Sequence, residues 1–283
     1  MLKKLNIKLV LMFLIICGLT GSILQAEEIP TIEFIKASLK NQENLSYPAL
    51  KVKCQITILT DVEKENSEII SQYVRTPNCF FMETKHFEGK ELKFTYKGKY
   101  ERNSGTRKEI SISQSDKKFG EIDMGLGPIL SGIKLETTYC PIFLKNSYFL
   151  YDALEKGKVT REQKVIDGHK CWLVKISEGD ICYNIWLGQD IGFCPVLIER
   201  TVNNKIEDTV EFFDYKEVCK DCWFPMKMIT EGKTPEGLIK NIWKVEEISV
   251  GKAISEEETK IEFLPGTVVS DLTTGTTFEI HKK

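Results

Sequence analysis

The sequence predicts an α+β protein made mainly of antiparallel strands, and three observations predict it. From about Val159 to Thr230 the chain reads as amphipathic strands broken by tight turns. From Val52 onward a second run shows the same period of two. Two stretches of helical character, Thr31 to Gln42 and Phe143 to Glu155, stand either side of that second run. A period of two sends successive side chains to opposite faces, so each run reads as half-buried strands. Turn residues recurring at roughly 10 to 14 positions mark an antiparallel meander.

Taken in order, residues 1–26 read as a targeting segment. Lys3, Lys4 and Lys8 form a positive start, Leu9 to Leu19 is apolar but short for a bilayer span, and Leu24-Gln25-Ala26 fits a cleavage site. A retained N-terminal anchor and a lipidated Cys17 are the alternative readings of the same residues. Loss of the leader removes three lysines and takes the formal charge from −2 to −5. Basic and acidic residues are interspersed beyond it, which excludes a nucleic-acid-binding stripe. Thr31 caps the first helix, with Ile32, Phe34, Ile35, Ala37 and Leu39 as its apolar positions.

Val52, Cys54, Ile56 and Ile58 then alternate with polar residues in a first strand. Strands follow at Tyr73–Arg75, at Cys79–Thr84 and through Leu92, Phe94 and Tyr96. Lys97-Gly98-Lys99 reads as the next turn and Lys108–Gln114 as a further strand, with Ile110 and Ile112 on one face. Met124–Gly132 is apolar, glycine-rich and aperiodic, a loop or short helix that packs over something. The second meander turns at Asp167-Gly168, Glu178-Gly179-Asp180, Asp190-Ile191-Gly192, Asn203-Asn204 and Lys220-Asp221. Beyond Thr230 come a turn at Thr234–Gly237, a strand at Ile242–Val250, a charged stretch at Lys252–Lys260, and an extended tail with a short hairpin. The organisation expected is one domain over 27–250 with a C-terminal extension, 251–283, packed on it.

Catalytic motifs are not evident. His86, His169 and His281 stand at no metal-ligand spacing, and no His-Glu-x-x-His, Gly-x-Ser-x-Gly or phosphate-loop sequence occurs. Neither catalysis nor a cofactor is expected, although a spatially assembled carboxylate pair stays open. Nine cysteines less Cys17 leave eight, an even number that suggests disulfides in an exported chain. Cys219-Lys220-Asp221-Cys222 lies between two strands rather than in a thioredoxin-like βαβ unit, so it reads as a turn closed by or tied to disulfides.

The apolar load of the strands is the remaining signal. Ile56, Ile58, Phe94, Tyr96, Trp172, Val174, Ile185, Leu187, Ile198, Phe212, Met226 and Met228 are the candidate lining of one face. That face is either a filled core or the wall of a cavity under the helices. Methionines suit an adaptable apolar surface.

Several of these segments carry a resemblance. Asp167-Gly-His-Lys-Cys-Trp-Leu173, Tyr183-Asn-Ile-Trp-Leu187, Gly192–Glu199, Val210–Tyr215 and Trp223-Phe-Pro225, together with the order of leader, helix, meander, apolar insert and second meander, resemble the LolA/LolB-like outer-membrane lipoprotein-sorting carriers. The resemblance covers about residues 30–250. It implies an open, incomplete β-barrel, a curved meander sheet covered by a few helices. It also implies an apolar cavity for lipid or lipoprotein acyl chains, a periplasmic location, and neither catalysis nor cofactor. Arg75, in an early strand, is where the carriers' functional arginine would be sought. The expected function is a periplasmic binder of acyl chains in transfer to the outer membrane. An envelope sensor or protein-interaction module on the same fold, with an envelope protein as its partner, is the second reading.

Overall fold

The computed structural model describes residues 28–46, 49–60, 67–76, 78–101, 103–124, 143–144, 148–149, 154–234 and 237–281. The expected leader, the apolar 125–132 stretch and Cys140 lie outside these residues. Helix α1 runs Ile32–Ser46. Thr31 starts it as the sequence predicts: its Oγ1 accepts a hydrogen bond from the Phe34 amide at 3.2 Å. Ile35 and Leu39, four residues apart, are buried together on one side.

The strands are β1 (Leu50–Thr60), β2 (Ser67–Arg75), β3 (Cys79–Glu88), β4 (Glu91–Glu101), β5 (Thr106–Ser113), β6 (Lys118–Met124), β7 (Phe143–Leu144), β8 (Tyr148–Phe149), β9 (Lys158–Ile166), β10 (His169–Glu178), β11 (Ile181–Gly188), β12 (Cys194–Val202), β13 (Lys205–Cys219), β14 (Cys222–Thr234), β15 (Gly237–Val250), β16 (Thr267–Asp271) and β17 (Thr276–Glu279). Fifteen of them form one sheet in the order β17-β16-β6-β5-β4-β3-β2-β1-β15-β14-β13-β12-β11-β10-β9. The sheet is curved and does not close, so the fold is an open, incomplete barrel of mainly antiparallel strands. Two meanders make it, β1–β6 and β9–β15. They join where β1 pairs with β15 along its whole length, from Leu50 opposite Val250 to Thr60 opposite Ile239.

The expected turns of the second meander fall where their residues place them. Asn203 and Asn204 both adopt positive φ (50° and 62°), as do Asp167 (49°) and Gly168 (82°). Two consecutive left-handed residues match the twist of the flanking strands, and Asn, Asp and Gly reach that region at least cost.

Two expectations fail. Lys97-Gly98-Lys99 is not a turn: β4 runs through it, with Gly98 opposite Met82 and Glu109. Strand alternation carries across the glycine, so Tyr96 and Tyr100 share a face. Phe143 to Glu155 is not a helix in its described residues. Phe143 and Leu144 pair with Phe149 and Tyr148 as a short ladder, and Leu154–Lys156 is a single 3-10 turn. Aromatic, strand-favouring residues prevail there over a helical spacing of apolar positions.

The C-terminal segment crosses the side of the sheet that bears Lys51, Val74, Phe81 and Ile110. A 3-10 turn at Glu256–Thr259 opens with a capping box between Ser255 and Glu258, and Glu258 meets Lys51 of β1 at 2.6 Å. Phe263 reaches Gly120 of β6, and β16 then adds to β6 in parallel, Val269 beside Gly120. A Cβ on Gly120 would lie 2.6 Å from Phe263 and 3.1 Å from Val269. Gly120→Val therefore overpacks this seam. We expect a loss of about 1–3 kcal/mol of stability in urea unfolding, together with faster proteolysis beyond residue 251.

Candidate functional site

Register alone decides which side chains share a face, because residues directly opposite in a ladder point the same way. Ile56 of β1 stands opposite Trp243 of β15, Trp243 opposite Met228 of β14, and Met228 opposite Phe212 of β13. Val210, two residues before Phe212, stands opposite Ile198; Ile198 opposite Ile185; Ile185 opposite Val174. Trp172 opposes Leu187 one step along the same face. In the other direction Ile56 leads through Ile69 and His86 to Phe94. Ile58, Tyr96 and Met226 fall on this face by alternation. The structure thus brings all twelve sequence-selected residues onto one side, here the inner face.

Helix α1 packs against β14 and against the 3-10 turn at Leu154–Lys156. That turn lies on the inner face, since a Cβ on the adjacent Gly157 would meet Val174 and Ile176. Lys36 of α1 pairs with Glu155 in the turn at 2.6 Å. Phe34 contacts Phe193 edge-on at 5.7 Å, and the Ser38 hydroxyl donates to the Gly192 carbonyl at 3.0 Å. A helix of this length covers about 22 Å, whereas fifteen strands span about 70 Å. α1 therefore shields only part of the inner face.

Burial follows that geometry. Trp172, Val174, Ile185, Leu187, Ile198, Phe212, Met228 and Ile56 are buried, and Ile58, Tyr96 and Met226 are half-buried. Trp172 places its indole N–H on Gln189 at 2.9 Å, which satisfies its only polar atom. Towards β6 the face opens. Phe94 is 40 % exposed and Phe119, which shares the face through Ser111, is 56 % exposed. Sequence reading missed Tyr73 and Met82, which oppose each other on the inner face and are buried.

It also missed a charged cluster at the β4–β6 end. Arg107, only 1 % exposed, lies on the inner face beside Tyr100 and Asp123. Its guanidinium contacts Glu109 at 3.0 Å and Asp123 at 2.9 Å, and it also pairs with Glu121. Three carboxylates face one guanidinium. Burial pushes the Glu109 carboxyl above its usual range despite its hydrogen bond with Tyr96 and the Arg107 charge beside it. Burial, reinforced by Glu109, likewise raises the Tyr96 phenol. Arg75 is also on this face, opposite Leu50 and Phe80, and is buried.

His169 and Asp190 are a further pairing that spacing did not show. His169 Nδ1 lies 2.8 Å from Asp190 Oδ2, with the ring edge-on to Tyr215. The nearby Cys171 is buried, and burial pushes its thiol up to about 11, so it supplies little thiolate. The pair ties the β9–β10 turn to the 3-10 turn before β12.

The expected disulfides are not formed by Cys54, Cys79, Cys171 or Cys182, which are free thiols. Register explains this: they stand opposite Ser71, Glu101, Gly188 and Thr201 rather than another cysteine.

Comparison with known proteins shows the fold. A domain named for outer membrane lipoprotein sorting, from Vibrio parahaemolyticus, superposes with a TM-score of 0.51 at 9 % identity, covering 81 % of this chain and 97 % of that one. A DUF1329 family protein from Desulfovibrio piger does so with 0.51 at 7 % identity, covering 81 % and 97 %. A LolA superfamily protein from Nitrosomonas europaea scores 0.40 at 12 % identity, covering 82 % and 99 %. No protein-family model matches the chain, and no curated protein matches it by sequence. The open, incomplete barrel that the resemblance to the lipoprotein-sorting carriers implies is the fold the chain adopts.

Glu109 gives a pH test. A carboxyl held above its unfolded value contributes stability that is fully present below the unfolded pKa, near 4.5, and is lost as pH rises through the folded value. Glu109→Gln removes that loss. Relative to wild type it should be the more stable protein near neutral pH, with the difference fading below pH 4.5, as read by thermal unfolding across pH.

Proposed function

We propose that this chain holds lipid or lipoprotein acyl chains against its inner sheet face, in transfer through the periplasm to the outer membrane. The observation that carries the reading is the band of apolar side chains that runs by register across the inner face from β10 to β1 and on to Phe94 of β4, bordered by the Arg200–Asp208 and Asn241–Thr230 pairs and interrupted by Ser71, Thr84 and His86. Only an apolar occupant or further apolar chain matches so wide a surface, because polar groups set against it would lose their hydrogen bonds with water. The fold shared with a domain named for lipoprotein sorting supports the reading. In this account residues 1–26 direct export, 27–250 form the binding unit, and 251–283 brace its outer face. The part played is binding rather than catalysis.

A second reading, an envelope sensor or protein-interaction module, is favoured by β17. Among the described residues this strand is bonded on one side only, and it carries the exposed Phe278. An open edge can take a partner strand.

The test is titration of the delipidated mature protein with a fluorescent acyl probe. Saturable binding is expected, and Phe94→Glu or Phe119→Glu at the open end should weaken it about ten-fold, equivalent to ~1.4 kcal/mol. Leu238→Glu, on the opposite face, should leave it unchanged. Absence of binding by the folded wild-type protein would remove the carrier reading and leave the interaction module.

A further inference from the structure

The β13–β14 hairpin brings two cysteines together across a two-residue turn. Cys219 and Cys222 are direct partners in the ladder, with Lys220 and Asp221 between them. Asp221 sits in the left-handed region (φ 58°), and its amide donates to Glu217 Oε1 at 2.8 Å, which holds the turn in shape. The two thiols are hydrogen-bonded to each other, and Cys194 of β12 is close enough to act on Cys222 electrostatically. Cys194 packs in turn with Cys171, Ile191 and Val196, beside Trp223. The sulfurs differ in access: Cys219 is half-buried, whereas Cys222 is buried.

We propose that Cys219 and Cys222 are a reversible dithiol site, which exchanges with small-molecule disulfides to close the hairpin as an intramolecular disulfide. The Cys219 thiolate attacks a disulfide R–S–S–R. A Cys219–S–R bond forms, the S–S bond breaks, and RS⁻ leaves to take up a proton. The Cys222 thiolate then attacks Cys219 in that mixed disulfide and expels the second RS⁻. In sum two protein thiols are oxidised, one external disulfide is reduced to two thiols, and the two protons pass to the leaving sulfurs. Access assigns the order, and burial supports it by pushing the Cys222 thiol up to about 12, which leaves Cys219 to meet the oxidant first. The closed loop is so short that it removes little chain entropy from the unfolded state. Its use is therefore chemical rather than a staple for the fold.

The experiment starts from the full mature chain, fully reduced, treated with oxidised glutathione and analysed by intact mass and tryptic mapping. Cleavage after Lys220 separates the two cysteines, so the product should appear as two peptides linked through Cys219 and Cys222, with a loss of two hydrogens. Cys222→Ser should accumulate a stable glutathione adduct on Cys219, and Cys219→Ser should leave Cys222 unmodified. Circular dichroism of both variants is the control for folding, and a wild-type-like spectrum is expected. A first product linking Cys194 to Cys222, or a wild-type chain that keeps glutathione on Cys219 without closing, would overturn the proposal.

Discussion

The pairing of β1 with β15 is the constraint on which the rest of the structure depends. It fuses an N-terminal and a C-terminal meander into one sheet, and it does so in the register that puts Ile56 opposite Trp243. A slip of one residue would turn every side chain of one meander to the other side. The apolar residues of β9–β15 would then face away from those of β1–β4, and no common surface would exist. Each buried side chain on that surface contributes about 1.5–3 kcal/mol, so the register is held by many residues at once.

The sheet changes character along its length. From β10 to β1 its inner face carries a largely buried apolar band, bordered by the Arg200–Asp208 and Asn241–Thr230 pairs. By β5 and β6 the sides have exchanged roles: Arg107, Glu109, Glu121 and Asp123 lie inside, while Ile110 and Gly120 lie outside. The C-terminal segment makes that exchange possible, because Phe263 and Val269 cover the outer side there. A buried guanidinium among three carboxylates adds little net stability. It does mark one end of the face with charge, with the exposed Phe119 two residues from Glu121 on the same side of β6.

Much of this was legible in the residues. The strands and turns of 159–230 could be read because their alternation is strict and their turns use Asp, Asn and Gly where the backbone needs left-handed conformations. The first helix could be read from Thr31. Residues such as Trp172, Ile185 and Met228 could be placed on one face because alternation is local. The pairing of β1 with β15 and the parallel addition of β16 to β6 were not legible, since both join segments far apart in the chain. Gly98 misled because a glycine inside a strand looks like a turn until its neighbours on both sides are known. The Arg107 cluster was hidden because charged residues alternating with Ile110 and Ile112 look like the solvated side of a strand. Nothing local shows that a distant segment covers the isoleucines instead.

The measurement that tests the central claim most directly is native mass spectrometry of the mature protein purified from an envelope fraction, with extraction of whatever it carries. A bound lipid or acylated peptide that leaves on delipidation is the expected result. A protein whose mass is that of the chain alone, with its inner face packed throughout by its own side chains, would contradict it and make the face a core.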